Sequence, residues 1–333
     1  MININSSELK LRFNQLIQAI RESGGGTGGG QPISSFINKS EPKLISFPPV
    51  SVEGLPAVTG GVHPSVLYFP RGFGGYKFWM AYTPYPGLRN ENPVIVVSQD
   101  GDTWTTPVGL TNPIAPPPPE PKYYSDTELV MVATNKMRAY WREYGAGATS
   151  KLMFKESSDG INWGETVVCS LTDDQDPLSP CIVTTGSQYT LWVGSKSTTG
   201  SITRLTSTDG INFTEPTPCV TNFDGNAYAW HPMVWATITG YHCLAAIRNV
   251  NKVETATLMT DLYYGKSKDG INWVFDENPL VSRGEYGMKN YRVYRSCAVM
   301  VDGRYKLYVS GMGNESEQIH VFDADKVGDL AAW

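Results

Sequence analysis

A short phrase that occurs four times constrains the fold of this chain more than any other feature. It reads Ser-x-Asp-Gly-x-x followed by an aromatic residue, and its aspartates are Asp100, Asp159, Asp209 and Asp269. Successive copies lie 59, 50 and 60 residues apart. Self-similarity with such a period is typical of propellers and other arrays of similar units, so the chain is predicted to contain a repeated module.

Each copy of the phrase predicts a hairpin turn. Asp can hydrogen-bond its own backbone and Gly accepts a positive φ, which makes Asp-Gly between extended runs a strong hairpin signal. The aromatic residue that begins the returning strand is expected to pack between neighbouring units. These aromatic residues are Trp104, Trp163, Phe213 and Trp273. The phrases are therefore interpreted as structural turns that count the units, not as a functional site.

Composition excludes several classes of protein. A formal net charge of -5 argues against a nucleic-acid-binding face. No apolar run is long enough to span a bilayer, and residues 1–20 lack the apolar core of a signal peptide, so no membrane insertion is predicted. The five cysteines show no Cys-x-x-Cys spacing and are expected to be reduced and buried, as in a protein folded in a cytoplasm.

The N-terminal part predicts an assembly segment. Residues 1–23 are predicted to form a short coiled-coil helix, because Leu9, Phe13, Leu16 and Ile20 follow a heptad spacing. Such a short helix must dock or pair. The Gly-rich tether that follows favours pairing, so a homo-oligomer, most simply a homotrimer, is predicted. Residues 24–56 are a Gly/Pro-rich linker that contains a candidate closing strand near Lys43.

Residues 57–333 are predicted to form an all-β, five-bladed β-propeller. Each unit begins with an inner strand, continues through strands rich in Tyr, Trp and Val, and ends at the turn. The fifth unit lacks the phrase, so a strand from the N-terminal side is expected to complete it and hide its edge. The inner strands open at His63-Pro64, Ser125-Asp126, Ser179-Pro180, His231-Pro232 and Arg295-Ser296.

These openings, with the Ser-x-Asp-Gly-x-x-Trp turns between them, resemble the five-bladed propeller of glycoside hydrolase families 32, 43 and 130. The similarity covers roughly residues 57–325. The propeller also looks like those of bacteriophage tail fibres and receptor-binding proteins, and the tethered N-terminal helix is similar to the attachment segments of such fibres.

In a propeller the leading residues of the inner strands converge at one mouth of the central funnel. This places His63, Asp126, Glu128, His231 and Arg295 together, with Trp141 and Trp230 nearby. Carboxylates, imidazoles and a guanidinium can bind a polar ligand, while aromatic faces stack on sugar rings. These seven residues are therefore the candidate ligand-binding site. The alternative is that the polar groups only satisfy one another and fix the inner strands.

The resemblance also bears on catalysis. The hydrolase families place an Asp base in the first blade and a Glu acid in the third, but here those places read Val62-His63-Pro64-Ser65 and Ser179-Pro180. Only Asp126 matches, at the second-blade Asp position. No catalytic residues are therefore predicted; were the chain an enzyme, Asp126 and Glu128 would be the candidates. Glu91, Asp176 and Glu285 could substitute only if loops bring them to the mouth.

Metal binding through His63, His231 and Asp126 is chemically permissible, since imidazole and carboxylate suit Zn or Mn. No short-spaced ligand pair supports it, so neither a metal nor any other cofactor is predicted.

The sequence thus predicts a non-enzymatic phage tail fibre or receptor-binding protein. It would be located in the virion tail, assembled in the host cytoplasm, and partnered by baseplate or tail proteins and a host surface carbohydrate. Multivalent binding by a trimer would raise the effective affinity for that carbohydrate. Two alternatives stay open: a glycoside hydrolase that degrades host surface polysaccharide, and a structural baseplate component.

Overall fold

The structure of the protein is a computed structural model. It describes residues 36–52, 55–85, 87–145, 149–172, 176–194, 202–214, 216–223, 227–249, 260–283, 290–313 and 318–326. The predicted N-terminal helix and the Gly-rich tether lie outside these residues, as does Glu285. No helix in the described part of the chain has the length and apolar character needed to cross a membrane.

The described residues are almost entirely β-structure, with one short 3-10 turn at Leu88–Asn90. The strands that precede the third blade are β1 (Phe36–Ile37), β2 (Lys43–Leu44), β3 (Gly61–Phe73), β4 (Tyr76–Pro84), β5 (Val94–Ser98), β6 (Tyr123–Ala133), β7 (Lys136–Tyr144), β8 (Lys151–Ser157), β9 (Val167–Val168) and β10 (Ser170–Leu171). The third blade and its exit contain β11 (Leu178–Thr185), β12 (Gln188–Gly194), β13 (Thr203–Ser207), β14 (Asn212–Phe213), β15 (Thr217–Pro218) and β16 (Val220–Thr221). The last two blades contain β17 (Ala227–Thr237), β18 (Gly240–Asn249), β19 (Asp261–Ser267), β20 (Asn272–Phe275), β21 (Asn290–Val301), β22 (Arg304–Gly313) and β23 (Gln318–Lys326).

These strands form a five-bladed β-propeller, which confirms the predicted fold class. The inner strands of the five blades are β3, β6, β11, β17 and β21, and each pairs antiparallel with the next strand along the chain. The fifth blade is completed from the N-terminal side, because Lys43 and Leu44 pair antiparallel with Val321 and His320 of β23. The last blade thus has no open edge at this strand.

The four Asp-Gly turns are structural, as the sequence predicts, and they fasten neighbouring blades together. The glycine of each turn has a positive φ, for example +78° at Gly101 and +73° at Gly270. Side chains from the preceding blade donate hydrogen bonds to glycine carbonyls: Tyr308 Oη to Gly101 at 3.0 Å, and Trp192 Nε1 to Gly270 at 2.8 Å. Each such turn therefore holds its own hairpin and also docks it on the adjacent blade.

The cores of the blades lie between adjacent sheets. One core cluster joins the fourth and fifth blades through Leu244, Leu262 and Leu307, and another joins the fifth and first through Phe78 and Val321. All five cysteines are buried and free of disulfides, in agreement with the expectation from their spacing. Packing between blades fixes the inner strands around the axis, and this arrangement positions the candidate site.

Candidate functional site

The candidate site is built by β-bulges at the start of the inner strands. In the first blade the pairing with β4 skips from Val62 to Ser65, which leaves His63 and Pro64 outside the regular ladder. Equivalent shifts occur in the other four inner strands. A bulge re-aims a side chain next to a functional site. The first bulged residues of the five blades are His63, Asp126, Ser179, His231 and Tyr294.

Four of these five residues have a left-handed backbone. The φ angles are +57° at His63, +58° at Asp126, +51° at Ser179 and +51° at His231. A non-glycine residue in this region costs on the order of 1–3 kcal/mol and persists only where the surroundings impose it. The same costly conformation recurs at the equivalent bulge of four blades, so the fold holds these four residues in one common geometry.

The bulges bring two imidazoles and one carboxylate together. His63 Nε2 lies 3.2 Å from Asp126 Oδ1, and His231 Nδ1 lies 3.7 Å from the same oxygen. One ligand-type atom from each of the three residues fits within 4.8 Å of the others. All three side chains are buried. The three residues named from sequence as leading inner-strand groups therefore do meet.

Hydroxyl groups and a guanidinium surround the carboxylate. Ser179 Oγ donates to Asp126 Oδ1 at 3.0 Å and also contacts His231 Nδ1. Ser125 Oγ donates to Asp126 Oδ2 at 3.0 Å, and Arg142 Nη1 lies 3.6 Å from that oxygen. Both oxygens of Asp126 are thus held in place, by Ser179 from the third blade and by Ser125 and Arg142 from the second.

The electrostatics of this cluster keep the imidazoles neutral. Burial is the largest cause, and with the charges of Arg295 and Arg142 it lowers the pKa of His63 to about 4. Burial also lowers the pKa of His231 well below its usual value. For Asp126, burial opposes ionisation, but His63, His231, Arg142 and Arg295 outweigh it and hold the pKa of the carboxyl below its usual range. At neutral pH the cluster therefore offers neutral imidazoles beside a carboxylate.

Glu128 and Arg295 form a second layer. Glu128 lies two residues further along β6 than Asp126, and its carboxylate pairs with Arg295 Nη2. Arg295 also donates to the carbonyl of Pro180 at 2.9 Å. Both side chains are buried. The structure thus brings these two predicted site residues together as an ion pair that links three blades.

The fifth member of the axial ring is Tyr294, where the sequence had aligned Arg295. The pairing of β21 with β22 skips from Val293 to Ser296, so Tyr294 is the first bulged residue and Arg295 the second. The Tyr294 ring centroid is 3.8 Å from that of His231 and 5.0 Å from that of His63. The fifth inner strand has no proline after its leading residue, so no local motif marks this one-residue offset.

Aromatic surface adjoins the cluster on one side. The Trp230 ring stacks on His231 with centroids 4.3 Å apart and meets Tyr294 edge-on at 5.1 Å. Arg292 lies over both rings, at 5.9 Å and 5.3 Å. Trp230 and Tyr294 are partly exposed. Trp230 is therefore placed where the sequence predicts it, and Tyr294 extends the same surface.

Trp141 is not brought to this surface. Its side chain is fully buried, edge-on to Tyr124 with ring centroids 5.6 Å apart, in a cluster with Met153. Successive side chains on a strand face opposite ways, and it is the next residue, Arg142, that reaches Asp126. Arg142, and not Trp141, is therefore the residue of this strand that lies near the site.

Three carboxylates were considered from sequence as replacements for the missing catalytic residues. One of them, Asp176, is linked to Asp126 through Arg142. Its two oxygens accept from Arg142 Nε at 2.6 Å and Nη2 at 2.8 Å, and Arg142 in turn faces Asp126. Glu91 is buried and close enough to Tyr294 to help raise the pKa of that phenol, for which burial is the larger cause. Neither carboxylate takes the position of a missing blade residue.

The donor set fits a divalent transition-metal ion. Two imidazoles and one carboxylate, with further positions open to water or substrate, are characteristic of catalytic zinc and related sites. Nε2 of His231 is buried and has no hydrogen-bond partner among the described residues, and Nε2 of His63 makes no hydrogen bond there although Asp126 Oδ1 lies 3.2 Å away. Buried nitrogens are normally paired, so an additional group that accepts their lone pairs would complete the cluster. These three residues lie far apart in the chain, so no short-spaced ligand pair marks them in the sequence.

Comparisons with known proteins find similarity to an enzyme over most of this chain. No protein-family model matches the chain. The A type blood N-acetyl-alpha-D-galactosamine deacetylase of Flavonifractor plautii is 28% identical to this chain in an alignment 357 residues long. The alignment covers 89% of this chain and 45% of the relative. This chain thus spans less than half of the length of that relative. Its fold is also similar to the crystal structure of an N-acetylgalactosamine deacetylase from F. plautii in complex with blood group B trisaccharide. That likeness has a TM-score of 0.74 and 23% identity, and covers 89% of this chain and 97% of the other.

More distant structures share the propeller. The Bombyx mori GH32 beta-fructofuranosidase BmSUC1 aligns with a TM-score of 0.59 and 15% identity, covering 96% of this chain and 68% of that one. A member of the GH130 family of mannoside phosphorylases aligns with a TM-score of 0.58 and 12% identity, covering 89% and 96%. At these identities the likeness concerns the fold alone, and it agrees with the architecture predicted from the inner-strand openings.

The similarity to a bacterial enzyme corrects the function predicted from sequence. The predictions of a non-enzymatic phage tail fibre or receptor-binding protein, and of a location in the virion tail, are wrong, because the relative that matches 89% of the chain is a deacetylase. The error arose from taking missing glycosidase carboxylates as missing catalysis. No observation above tests the predicted partners, and the homotrimer in particular depends on residues outside the described ranges.

Proposed function

We propose that this chain is a carbohydrate-processing enzyme that removes the acetyl group from an N-acetylated amino sugar by metal-assisted hydrolysis of the amide bond. The observation that carries the proposal is the buried cluster of His63, Asp126 and His231 at the mouth of the propeller axis. The similarity to an N-acetylgalactosamine deacetylase supports the substrate class.

The site is poorly suited to cleaving glycosidic bonds. That reaction normally needs two carboxyl groups on either side of the bond, one as acid and one as nucleophile or base. In the first and third blades the positions at the axis hold His63 and Ser179. Glu128, the nearest second carboxylate on the same strand, is engaged by Arg295. The replacement of carboxylates by an imidazole and a hydroxyl changes the site from an acid pair to a metal-ligand set.

The chemistry of amide hydrolysis matches this set. A divalent ion held by His63, Asp126 and His231 would polarise the acetyl carbonyl and lower the pKa of a water molecule. Water adds to the carbonyl carbon, the carbon–nitrogen bond breaks, and the sugar amine and acetate are released. The neutral imidazoles keep lone pairs available for the ion, and the ionised Asp126 supplies the negative charge that the ion requires.

The adjacent aromatic surface suits the sugar. Trp230 and Tyr294 both lie directly against His231, and Tyr294 also lies against His63, so a sugar ring stacked beside them would hold its N-acetyl group near the cluster. The guanidinium of Arg292, which lies over both rings, provides hydrogen-bond donors for sugar hydroxyls.

The proposal is tested by measuring acetate released from an oligosaccharide that ends in α-linked N-acetylgalactosamine, in buffer containing Zn²⁺ or Mn²⁺. The wild type is expected to release acetate. Asp126→Asn, His63→Ala and His231→Ala are each expected to lose at least about 100-fold, as removal of a metal ligand should exceed the 10–100-fold effect of outer-shell groups.

His242→Ala is the matched control. His242 is also a buried histidine, but it bonds Tyr264 Oη at 2.9 Å, and its pairing with Trp235 places it away from the mouth. The control should retain activity close to that of the wild type. Wild-type protein that binds the ion yet releases no acetate from any N-acetylated sugar would overturn the proposal.

A further inference from the structure

Two buried threonines form a series of contacts that begins at the imidazole of His63 and ends at the backbone carbonyl of the same residue. His63 Nδ1 lies 3.1 Å from Thr83 Oγ1, which lies 3.4 Å from Thr127 Oγ1. Thr127 Oγ1 donates to the backbone carbonyl of His63 at 3.4 Å. Both threonines are fully buried. Thr83 belongs to β4 of the first blade and Thr127 to the bulge of β6 in the second, so the set of contacts spans two blades.

The surroundings of His63 permit two neutral tautomers. The backbone N–H of Asp126 points at Nδ1 from 3.3 Å, and because it can only donate, it favours a lone pair on Nδ1. The proton would then sit on Nε2, which faces Asp126 Oδ1 at 3.2 Å. The hydroxyl of Thr83 can accept instead, which favours a proton on Nδ1 and leaves the lone pair on Nε2.

Only the second tautomer can bind a cation through Nε2. In the first, the Nε2 proton turns toward Asp126, so one ligand atom is lost and the carboxylate is partly satisfied by a hydrogen bond. The partner of the non-ligating nitrogen therefore decides whether the cluster is open or closed to a metal ion.

We propose that Thr83, supported by Thr127, is a positioning residue that holds His63 with its proton on Nδ1 and so presents the Nε2 lone pair toward Asp126. In this arrangement His63 donates to Thr83, Thr83 donates to Thr127, and Thr127 donates to the His63 carbonyl, so every hydroxyl proton is used. The hydrogen bond from the Asp126 N–H to Nδ1 is lost in this tautomer, and the hydroxyl contacts must outweigh that loss. The inference rests on the proposed metal-binding function of the cluster. Thr83 itself contacts neither ion nor substrate.

The test measures Zn²⁺ affinity of the metal-stripped full chain by titration calorimetry. Thr83→Val removes the hydroxyl with little change in volume and is expected to weaken Zn²⁺ binding by about 10–100-fold. Thr83→Ser keeps the hydroxyl and should bind within about threefold of the wild type. Thr127→Val leaves Thr83 in place but removes its acceptor, so a smaller loss is expected.

Thr184→Val is the matched control, because Thr184 is an inner-strand threonine whose hydroxyl bonds the Met131 carbonyl at 3.0 Å, away from the cluster. Its Zn²⁺ affinity should be unchanged. Nitrogen-15 NMR gives an independent readout, since the chain has four histidines and their tautomers can be distinguished. In Zn²⁺-free Thr83→Val, the His63 proton should move to Nε2.

The outcomes separate the two proposals. Wild-type protein that does not bind Zn²⁺ or Mn²⁺ contradicts the proposed metal site. Wild-type protein that binds Zn²⁺, with Thr83→Val binding equally well and His63 keeping its proton on Nδ1, overturns the role of Thr83 alone. Should Thr83→Val fail to fold, the comparison of Thr127→Val with Thr184→Val decides in the same way.

Discussion

His63 and Asp126 stand on the inner strands of different blades, yet His63 Nε2 lies 3.2 Å from Asp126 Oδ1. The contact exists because both residues are first in a β-bulge and both have a φ near +57°. In a regular strand these side chains would project from one or the other face of the sheet. The chemistry at the mouth therefore depends on backbone irregularities, which in turn depend on rigid packing between blades.

Packing between blades should be sensitive to the turn glycines. A Cβ on Gly160 would lie 2.2 Å from the ring of Trp79 in the preceding blade, and its φ is +76°. Gly160→Ala is expected to lower the free energy of unfolding by about 2–5 kcal/mol, from left-handed strain together with overpacking. Chemical denaturation measures this change.

Gly186→Ala separates the two causes. Gly186 also has a positive φ, +62°, but a Cβ there would meet nothing within 4 Å. Only the strain of the left-handed backbone applies here, so the free energy of unfolding is expected to fall by about 1–2 kcal/mol. Equal losses in the two variants would show that the turn at Gly160 does not clamp the blades.

The turn aspartates should make stability depend on acid pH. Backbone and side-chain N–H groups of Asn162, followed by the backbone N–H of Ile161 and the hydroxyl of Ser157, lower the pKa of Asp159 to about 2. A carboxyl with a lower pKa in the folded state stabilises the fold above its unfolded pKa. This contribution is lost as the pH falls from about 4 to 2.

Thermal melts between pH 6 and pH 2 test this dependence. The wild type should lose melting temperature over the lower half of that range. Asp159→Asn cannot ionise, so it should be less stable at pH 6 and should show a shallower loss below pH 4. Parallel curves for the two proteins would contradict the assignment.

Trp230 should act on binding more than on the chemical step. Its ring stacks on His231 and is partly exposed at the site. Trp230→Ala is expected to raise KM by about tenfold, equivalent to about 1.4 kcal/mol, with a small effect on kcat. Trp235→Ala is the control, since Trp235 lies on the same strand at the far end from the cluster. A loss confined to kcat would argue against a sugar platform.

The buried pair of Glu128 and Arg295 should matter for stability. Breaking a buried pair by removing one partner typically costs about 3–5 kcal/mol, because the remaining charge is left without compensation. Arg295→Met is therefore expected to destabilise the protein by about that amount. Adding Glu128→Gln should recover part of the loss. A double variant no more stable than Arg295→Met would show that the pair is not the cause.

The architecture could be predicted from local sequence because the Asp-Gly turns are local. Asp and Gly at adjacent positions favour a turn through their own local chemistry, so the four Asp-Gly pairs of the repeated phrase indicated four of the blades. The offset between Tyr294 and Arg295 could not be found in this way. It depends on where the fifth inner strand bulges, and that is set by pairing with β22.

The convergence of three residues was predictable from the sequence, but the full set around them and its chemistry were not. His63, Asp126 and His231 were named as leading residues of inner strands, and the structure brings them within 4.8 Å. Thr83 carries no sequence signal, because it is a single threonine near the end of a middle strand and belongs to no motif. The interpretation of His63 and Ser179 as empty catalytic positions ignored that an imidazole and a hydroxyl can support a different hydrolysis.

The most direct test of the central claim is to count two products from one reaction. Wild-type protein with Zn²⁺ or Mn²⁺ is incubated with an oligosaccharide ending in α-linked N-acetylgalactosamine, and both free acetate and new reducing ends are quantified. The proposed metal-assisted deacetylation predicts acetate in proportion to time, no new reducing ends, and loss of acetate release in Asp126→Asn. New reducing ends without acetate would contradict it and identify a glycosidase instead.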